Sequence, residues 1–96
     1  MSLPVRFSIQ AGETYDAIIA QLNMRWGKRF VDEFEQKVAR ATILISESPM
    51  LYPLADFGMD VHKCVLHKNC SMFYWIDLTE IVILYFWDNR QDPLFF

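Results

Sequence analysis

The residue types best suited to chemistry concentrate between Val61 and Ile76. Four potential zinc ligands fall within nine residues there: His62, Cys64, His67 and Cys70. Their spacing matches no zinc finger or zinc ribbon. On a regular strand His62 and Cys64 would share one face and His67 would point to the other, so the four ligands would converge only around a bulge. We therefore expect no metal site, and we interpret the cysteines as small buried side chains on strands.

The same stretch is basic, because it contains Lys63, Lys68 and two histidines but no acidic residue. The whole chain, in contrast, carries a net charge of −3, which argues against a general nucleic-acid binder. The two lysines can also be read as ordinary hairpin charges that keep a strand soluble. The sequence has no Gly-rich phosphate loop, no Ser/His/Asp grouping and no paired carboxylates, so we expect no cofactor.

Three apolar runs around this stretch predict strands: Val61–His67, Met72–Ile76 and Ile81–Trp87. The last two are apolar at nearly every position and rich in β-branched and aromatic residues, which is typical of central strands covered on both faces. A short polar break separates them and predicts an antiparallel hairpin. Earlier in the chain, Val5–Ile9 alternates apolar and polar residues, which predicts a fourth strand with one buried face.

Between these strands the apolar period changes to that of helices. A helical stripe runs from Tyr15 to Trp26, and a second helix is predicted from Lys28 to Ile45, with Gly27 at the joint of a helix hairpin. The expected fold is α+β, in the order β-α-α-β-β-β. The helix hairpin would pack on one face of a mostly antiparallel four-stranded sheet, and the other face would carry aromatic residues and be partly open.

Length and composition bound the remaining possibilities. A chain of 96 residues that is 53% hydrophobic predicts a single domain over residues 1–96. We expect no membrane span, no export signal and a cytosolic location with reduced thiols. The loop Met50–Phe57 and the end Leu94–Phe96 are unusually apolar. Such a loop either packs over an edge of the core or forms an interaction site.

Several local patterns resemble the RelE/ParE superfamily of toxins from bacterial toxin–antitoxin operons. The resemblance covers almost the whole chain and looks closest to the ParE-like, plasmid stabilisation branch. The matching residues are Trp26-Gly27, Glu47-Ser-Pro49, Tyr52-Pro53, Val61-His-Lys63, Lys68-Asn69, Phe73-Tyr74, Ile81-Val-Ile-Leu84 and Asp88-Asn-Arg-Gln-Asp-Pro93. It implies a toxin of a type II system that a cognate antitoxin neutralises. Without the antitoxin we expect self-association, such as a homodimer, through the apolar surfaces that the antitoxin would cover.

The resemblance leaves the cellular target open. ParE-like members do no chemistry and bind DNA gyrase, whereas RelE-like members are ribosome-dependent endonucleases that cut mRNA. For a nuclease the candidate catalytic residues are Lys63, His67, Lys68 and Arg90, with His67 as a general base because its unperturbed pKa lies near ~6.5. The residues after Arg90 include neither histidine nor tyrosine, which favours the gyrase-binding function. A third alternative is a catalytically silent, degenerate toxin that serves as a binding module.

Overall fold

The strands and helices follow the predicted order. A computed structural model describes residues 2–55, 60–67 and 70–88. Its elements are β1 (Val5–Phe7), α1 (Ile9–Trp26), α2 (Lys28–Glu47), β2 (Val61–His67), β3 (Cys70–Ile76) and β4 (Ile81–Asp88). Neither helix is both long and apolar enough to cross a membrane.

The four strands form one mixed sheet in the order β1-β4-β3-β2. β4 is antiparallel to β3 and parallel to β1, and β2 is antiparallel to β3. The predicted α+β class, the mostly antiparallel sheet and the central position of the Ile81–Trp87 run are therefore confirmed. The turn between β3 and β4 is closed by a 2.8 Å hydrogen bond from the Asp77 amide to the Glu80 carbonyl.

The first strand is shorter than predicted and α1 begins earlier. Ile9 was expected as the last inward residue of the strand, but it is the first residue of α1 and its side chain is 84% exposed. Ser8 causes the change, because its extended backbone lets the side-chain oxygen accept a hydrogen bond from the Ala11 amide. A side-chain cap of this kind starts a helix where the alternating pattern alone would continue a strand.

The two helices turn back on each other at Gly27. This residue has φ of 92°, in the left-handed region that favours glycine, and its amide bonds back to the carbonyls of Leu22 and Asn23. α2 buries one stripe toward the sheet, made of Phe34, Val38, Ala41 and Ile45. Its solvent side carries two i, i+4 ion pairs, Lys28–Asp32 at 2.9 Å and Arg29–Glu33 at 3.4 Å. The helices thus cover one face of the sheet, as predicted.

The core lies between this helix hairpin and alternate residues of the central strands. Met72 and Tyr74 of β3 belong to it, together with Ile81 and Ile83 of β4. Phe73, between the two β3 residues, points to the opposite side, which we call the outer face of the sheet.

An aromatic cluster around Phe86 fixes the junction of α1, α2 and the sheet. The ring of Phe86 lies 5.6 Å from that of Phe7, 5.3 Å from that of Tyr15 and 6.4 Å from that of Phe34. Such offset and tilted ring pairs contribute about 0.5–1.5 kcal/mol beyond the area they bury.

Ser8 also joins the start of α1 to the last strand, which gives a first testable prediction. Its hydroxyl donates a 2.8 Å hydrogen bond to the Leu84 carbonyl while it caps the helix. Ser8→Ala removes both contacts and should lower the free energy of unfolding by roughly 1–2 kcal/mol in urea denaturation. Ser8→Thr keeps the hydroxyl and is the control. An alanine variant as stable as the native chain would contradict this role.

Candidate functional site

A bulge in β2 decides which face carries each candidate catalytic residue. Lys63 is paired with Phe73 and His67 with Cys70, and the register shifts by one residue, Leu66, between them. β3 alternates regularly, so Cys70 and Phe73 point to opposite faces. Lys63 therefore lies on the outer face, whereas the bulge turns His67 to the side of the helices.

The predicted catalytic set is therefore not gathered in one place by the described residues. Lys63 is partly buried on the outer face and His67 is exposed on the helix side. Lys68 and Arg90 lie outside the described residues. The assignment of these four residues as catalytic stays a prediction.

His67 lies at the rim of an apolar groove at the joint of the helix hairpin. We call this the hairpin groove; its volume is about 390 Å³. Its walls are apolar, and polar side chains stand around them. The lining residues are Ile18, Leu22, Trp26, Phe30, Phe34, Glu33, Lys37, His67, Cys70 and Asp88.

Two aromatic residues of the hairpin groove are about half-exposed to solvent. Trp26 ends α1 and Phe30 lies in the first turn of α2, with their rings 5.7 Å apart and tilted by 45°. Both are exposed although they continue the apolar stripes of their helices. The sequence predicted that the helix hairpin packs on the sheet, but it did not indicate a groove at the joint. The signal that could have found the groove is the position of Trp26 and Phe30 at the hairpin joint, beside the strand ends that carry His67, Cys70 and Asp88.

The four potential zinc ligands share the helix side of the sheet. The bulge places His67 on the same side as Cys70 and Cys64, against the expectation for a regular strand. Over residues 2–55, 60–67 and 70–88, however, no three His, Cys, Asp or Glu side chains are arranged to hold a metal ion.

A small polar cluster lies beneath the segment that follows α2. His62 stacks on Tyr74 with ring centroids 5.1 Å apart, and its Nδ1 lies 2.7 Å from the Tyr52 carbonyl. The Tyr74 hydroxyl donates a 2.8 Å hydrogen bond to the Pro49 carbonyl. Burial raises the pKa of Tyr74 to about 12 and also raises the pKa of the Cys64 thiol. Both groups therefore stay protonated near neutral pH and serve the structure rather than proton transfer.

The segment above this cluster exposes three large apolar side chains. Met50 is 75% exposed, Leu51 52% and Leu54 54%. We call residues 50–54 the apolar loop. Of the two alternatives for this loop, the exposure favours an interaction site over packing on the core edge, because only Tyr52 of residues 50–54 packs against the core. Phe57, the remaining large residue of the predicted loop, lies outside the described residues.

The outer face of the sheet is aromatic and partly open, as expected. Trp75 and Val65 are exposed there, while Phe73 stacks on Tyr85 with ring centroids 4.8 Å apart and is buried. The partly buried Lys63 is the neighbour of Phe73 across the β2–β3 ladder. This face therefore combines apolar surface with a cation.

Solved structures resemble this arrangement, although neither a protein-family model nor a curated protein matches the chain. A chain of the chromosomal ParDE toxin–antitoxin system from P. aeruginosa superimposes with a TM-score of 0.76. It is 15% identical, and the match covers 91% of this chain and 96% of that one. The fold is that of the RelE/ParE toxins.

Two further RelE/ParE-fold structures support the same conclusion. The YoeB dimer from Staphylococcus aureus gives a TM-score of 0.67 at 14% identity, over 95% of this chain and 100% of that chain. The E. coli DinJ–YafQ toxin–antitoxin complex gives 0.63 at 7% identity, over 92% and 93%. The resemblance seen in the sequence is thus confirmed at the level of the fold.

Proposed function

We propose that this chain is the toxin of a type II toxin–antitoxin system and that it inhibits growth by binding DNA gyrase. The proposal rests on the RelE/ParE fold over nearly the whole chain, with the P. aeruginosa ParDE chain matching at a TM-score of 0.76. A fold alone does not define an activity, so the side chains must distinguish binding from catalysis.

The bulge in β2 supports binding rather than RNA cleavage. Cleavage requires a proton-transfer group and a phosphate-stabilising cation within reach of the same ribose and phosphate. Lys63 and His67 lie on opposite faces of β2, so the sheet itself separates this general base from this cation. The pKa values of Cys64 and Tyr74 are raised, which leaves neither group to replace the histidine as a base near neutral pH.

The hairpin groove is the surface that best suits an antitoxin. Its apolar walls and half-exposed aromatic residues match the apolar stripe of an amphipathic helix, whose side chains recur every three or four residues. Glu33 and Lys37 stand one helical turn apart beside it and provide charges of both signs for the polar edges of such a helix. A partner helix in this groove would cover Trp26 and Phe30 and remove their apolar surface from water.

The following experiment tests the proposed function. Expression of the native chain should arrest bacterial growth, and the purified chain should inhibit supercoiling by gyrase without cutting mRNA on ribosomes. His67→Ala should keep this activity. Lys63→Ala and Arg90→Ala should each weaken gyrase inhibition roughly three- to tenfold, as loss of a charge at the rim of an interface does.

Matched expression levels and circular dichroism spectra serve as controls for the three variants. If the native chain cleaves mRNA on ribosomes and His67→Ala does not, the endonuclease function is supported and gyrase binding is refuted. Gyrase inhibition that is unchanged in both Lys63→Ala and Arg90→Ala would remove these cations from the working surface.

A further inference from the structure

The apolar loop combines a fixed backbone with exposed side chains. Three of its side chains are exposed to solvent: Met50, Leu51 and Leu54. The backbone around them is nevertheless fixed, because hydrogen bonds hold it on both sides. Exposing large apolar side chains to water on a fixed backbone costs free energy that a chain without a partner does not recover. Such a surface typically marks an interaction site.

Contacts from the sheet hold this loop in place. The Ala55 amide donates a 2.7 Å hydrogen bond to the Val61 carbonyl, and the Lys63 amide donates a 2.9 Å hydrogen bond to the Pro53 carbonyl, so residues 53–55 extend the edge of β2. Tyr74 and His62 bond to the carbonyls of Pro49 and Tyr52 from below. A loop held in this way is pre-organised, which lowers the entropy lost when it binds.

The charges near the loop indicate what kind of surface it meets. Glu47, the last residue of α2, precedes it, and Asp60 stands just before β2; both are exposed. Lys63 bonds to Pro53 through its backbone amide, but its side chain lies on the outer face, whereas Leu54 pairs with His62 on the other side of the strand. A membrane surface would call for basic neighbours, because lipid headgroups are on average anionic. Acidic neighbours instead complement a protein pocket with an apolar floor and a basic rim.

The loop also lies away from the hairpin groove. Lys37 is the last residue of α2 that lines the groove, and the loop begins only after the helix ends at Glu47. Glu47 follows Lys37 by ten positions, which corresponds to about 15 Å along the helix axis. A helix seated at the hairpin joint would therefore leave the apolar loop uncovered.

We propose that Met50, Leu51 and Leu54 dock into an apolar, basic-rimmed pocket of the protein that the toxin inhibits, separately from the antitoxin surface. This inference rests on the proposed toxin function and names the contact that it uses. The docking residues extend from a rigid loop, and the partner supplies the cavity.

The test replaces all three residues by serine. Met50→Ser/Leu51→Ser/Leu54→Ser should raise the concentration needed to inhibit purified DNA gyrase at least about tenfold and abolish growth arrest, since truncating central apolar contacts weakens an interface by at least this factor. Met24→Ser/Leu78→Ser is the matched control, because both side chains are exposed apolar groups outside the loop. It should inhibit gyrase like the native chain.

A charge test at one position guards against simple misfolding. Met50→Lys places a cation against the basic rim and should inhibit gyrase less than Met50→Glu, although either substitution exposes a charge at the same solvent-accessible site. Unfolding would not depend on the sign of the charge in this way. Equal inhibition by the two variants would overturn the charge assignment.

The remaining outcomes separate the loop from the function. If the native chain inhibits growth and gyrase and the triple variant does so equally, the docking proposal is wrong and the toxin function stands. If the control variant loses as much gyrase inhibition as the triple variant, the proposal is also overturned. It is overturned as well if light scattering shows that the loop mediates contact between copies of this chain. If the native chain arrests growth without acting on gyrase, the growth assay alone decides the role of the loop. A native chain without either effect refutes the toxin function and the docking proposal together.

Discussion

Replacing Trp26 and Phe30 by serine should weaken the complex with the proposed antitoxin at least about a hundredfold. Both aromatic rings line the hairpin groove and are half-exposed in the free chain, so a partner helix would bury them on binding. Buried aromatic residues at the centre of an interface each contribute about 2 kcal/mol or more, and every 1.4 kcal/mol changes the dissociation constant tenfold. Titration calorimetry with the proposed antitoxin measures the effect.

The control for this double variant changes exposed apolar residues outside the groove. Met24→Ser/Ile43→Ser alters one residue on each helix, and neither residue lines the groove. It should bind the antitoxin like the native chain. Light scattering of the free chain gives a second measure, because self-association through the groove should decrease only in the Trp26/Phe30 variant. Native affinity in that variant would exclude the groove as the antitoxin surface.

Phe86→Ala should lower the free energy of unfolding by about 3–5 kcal/mol, a large part of the stability of a small domain. The side chain is almost fully buried and contacts the rings of Phe7, Tyr15 and Phe34, so its removal leaves a cavity where both helices meet the sheet. Guanidinium denaturation followed by tryptophan fluorescence measures the loss.

A conservative substitution tests whether the Phe86 effect comes from packing. Phe86→Leu fills most of the cavity and should cost roughly 1–1.5 kcal/mol. A loss below about 1 kcal/mol in Phe86→Ala would mean that the surrounding rings close the cavity, and that the aromatic cluster does not hold the helices in place.

The central strands could be predicted from the sequence because their composition leaves few alternatives. The run Ile81–Trp87 is too apolar for an edge strand, and it is too short and too rich in β-branched residues for a helix. It forms β4, one of the two central strands. The helix hairpin was predictable for a similar reason, since Gly27 interrupts two apolar stripes of helical period. In both cases the signal extends over many residues and agrees with the local propensities.

The details that place the candidate residues depend on single contacts, which no periodic pattern reports. Leu66 is a good strand residue whether or not it is bulged, yet the bulge alone decides that His67 faces the helices. Ile9 continues the alternation of β1 until the cap by Ser8 is recognised. The apolar loop shows that composition identifies apolar surface but not which side of the chain it faces, because hydrogen bonds to its backbone decide that.

The pairing of β1 with β4 has a consequence for how the protein is made. Val5 pairs with Ile81, and the Ser8 hydroxyl reaches Leu84, 76 residues later, so the first strand has no partner until almost all of the described chain has been synthesised. At roughly 5–20 residues per second, that delay is on the order of ten seconds. Because contacts so distant in sequence also form slowly, the sheet is completed late. During this interval the nascent chain lacks its finished sheet, and a partner protein already present in the cell, such as the proposed antitoxin, has time to bind the chain as it emerges.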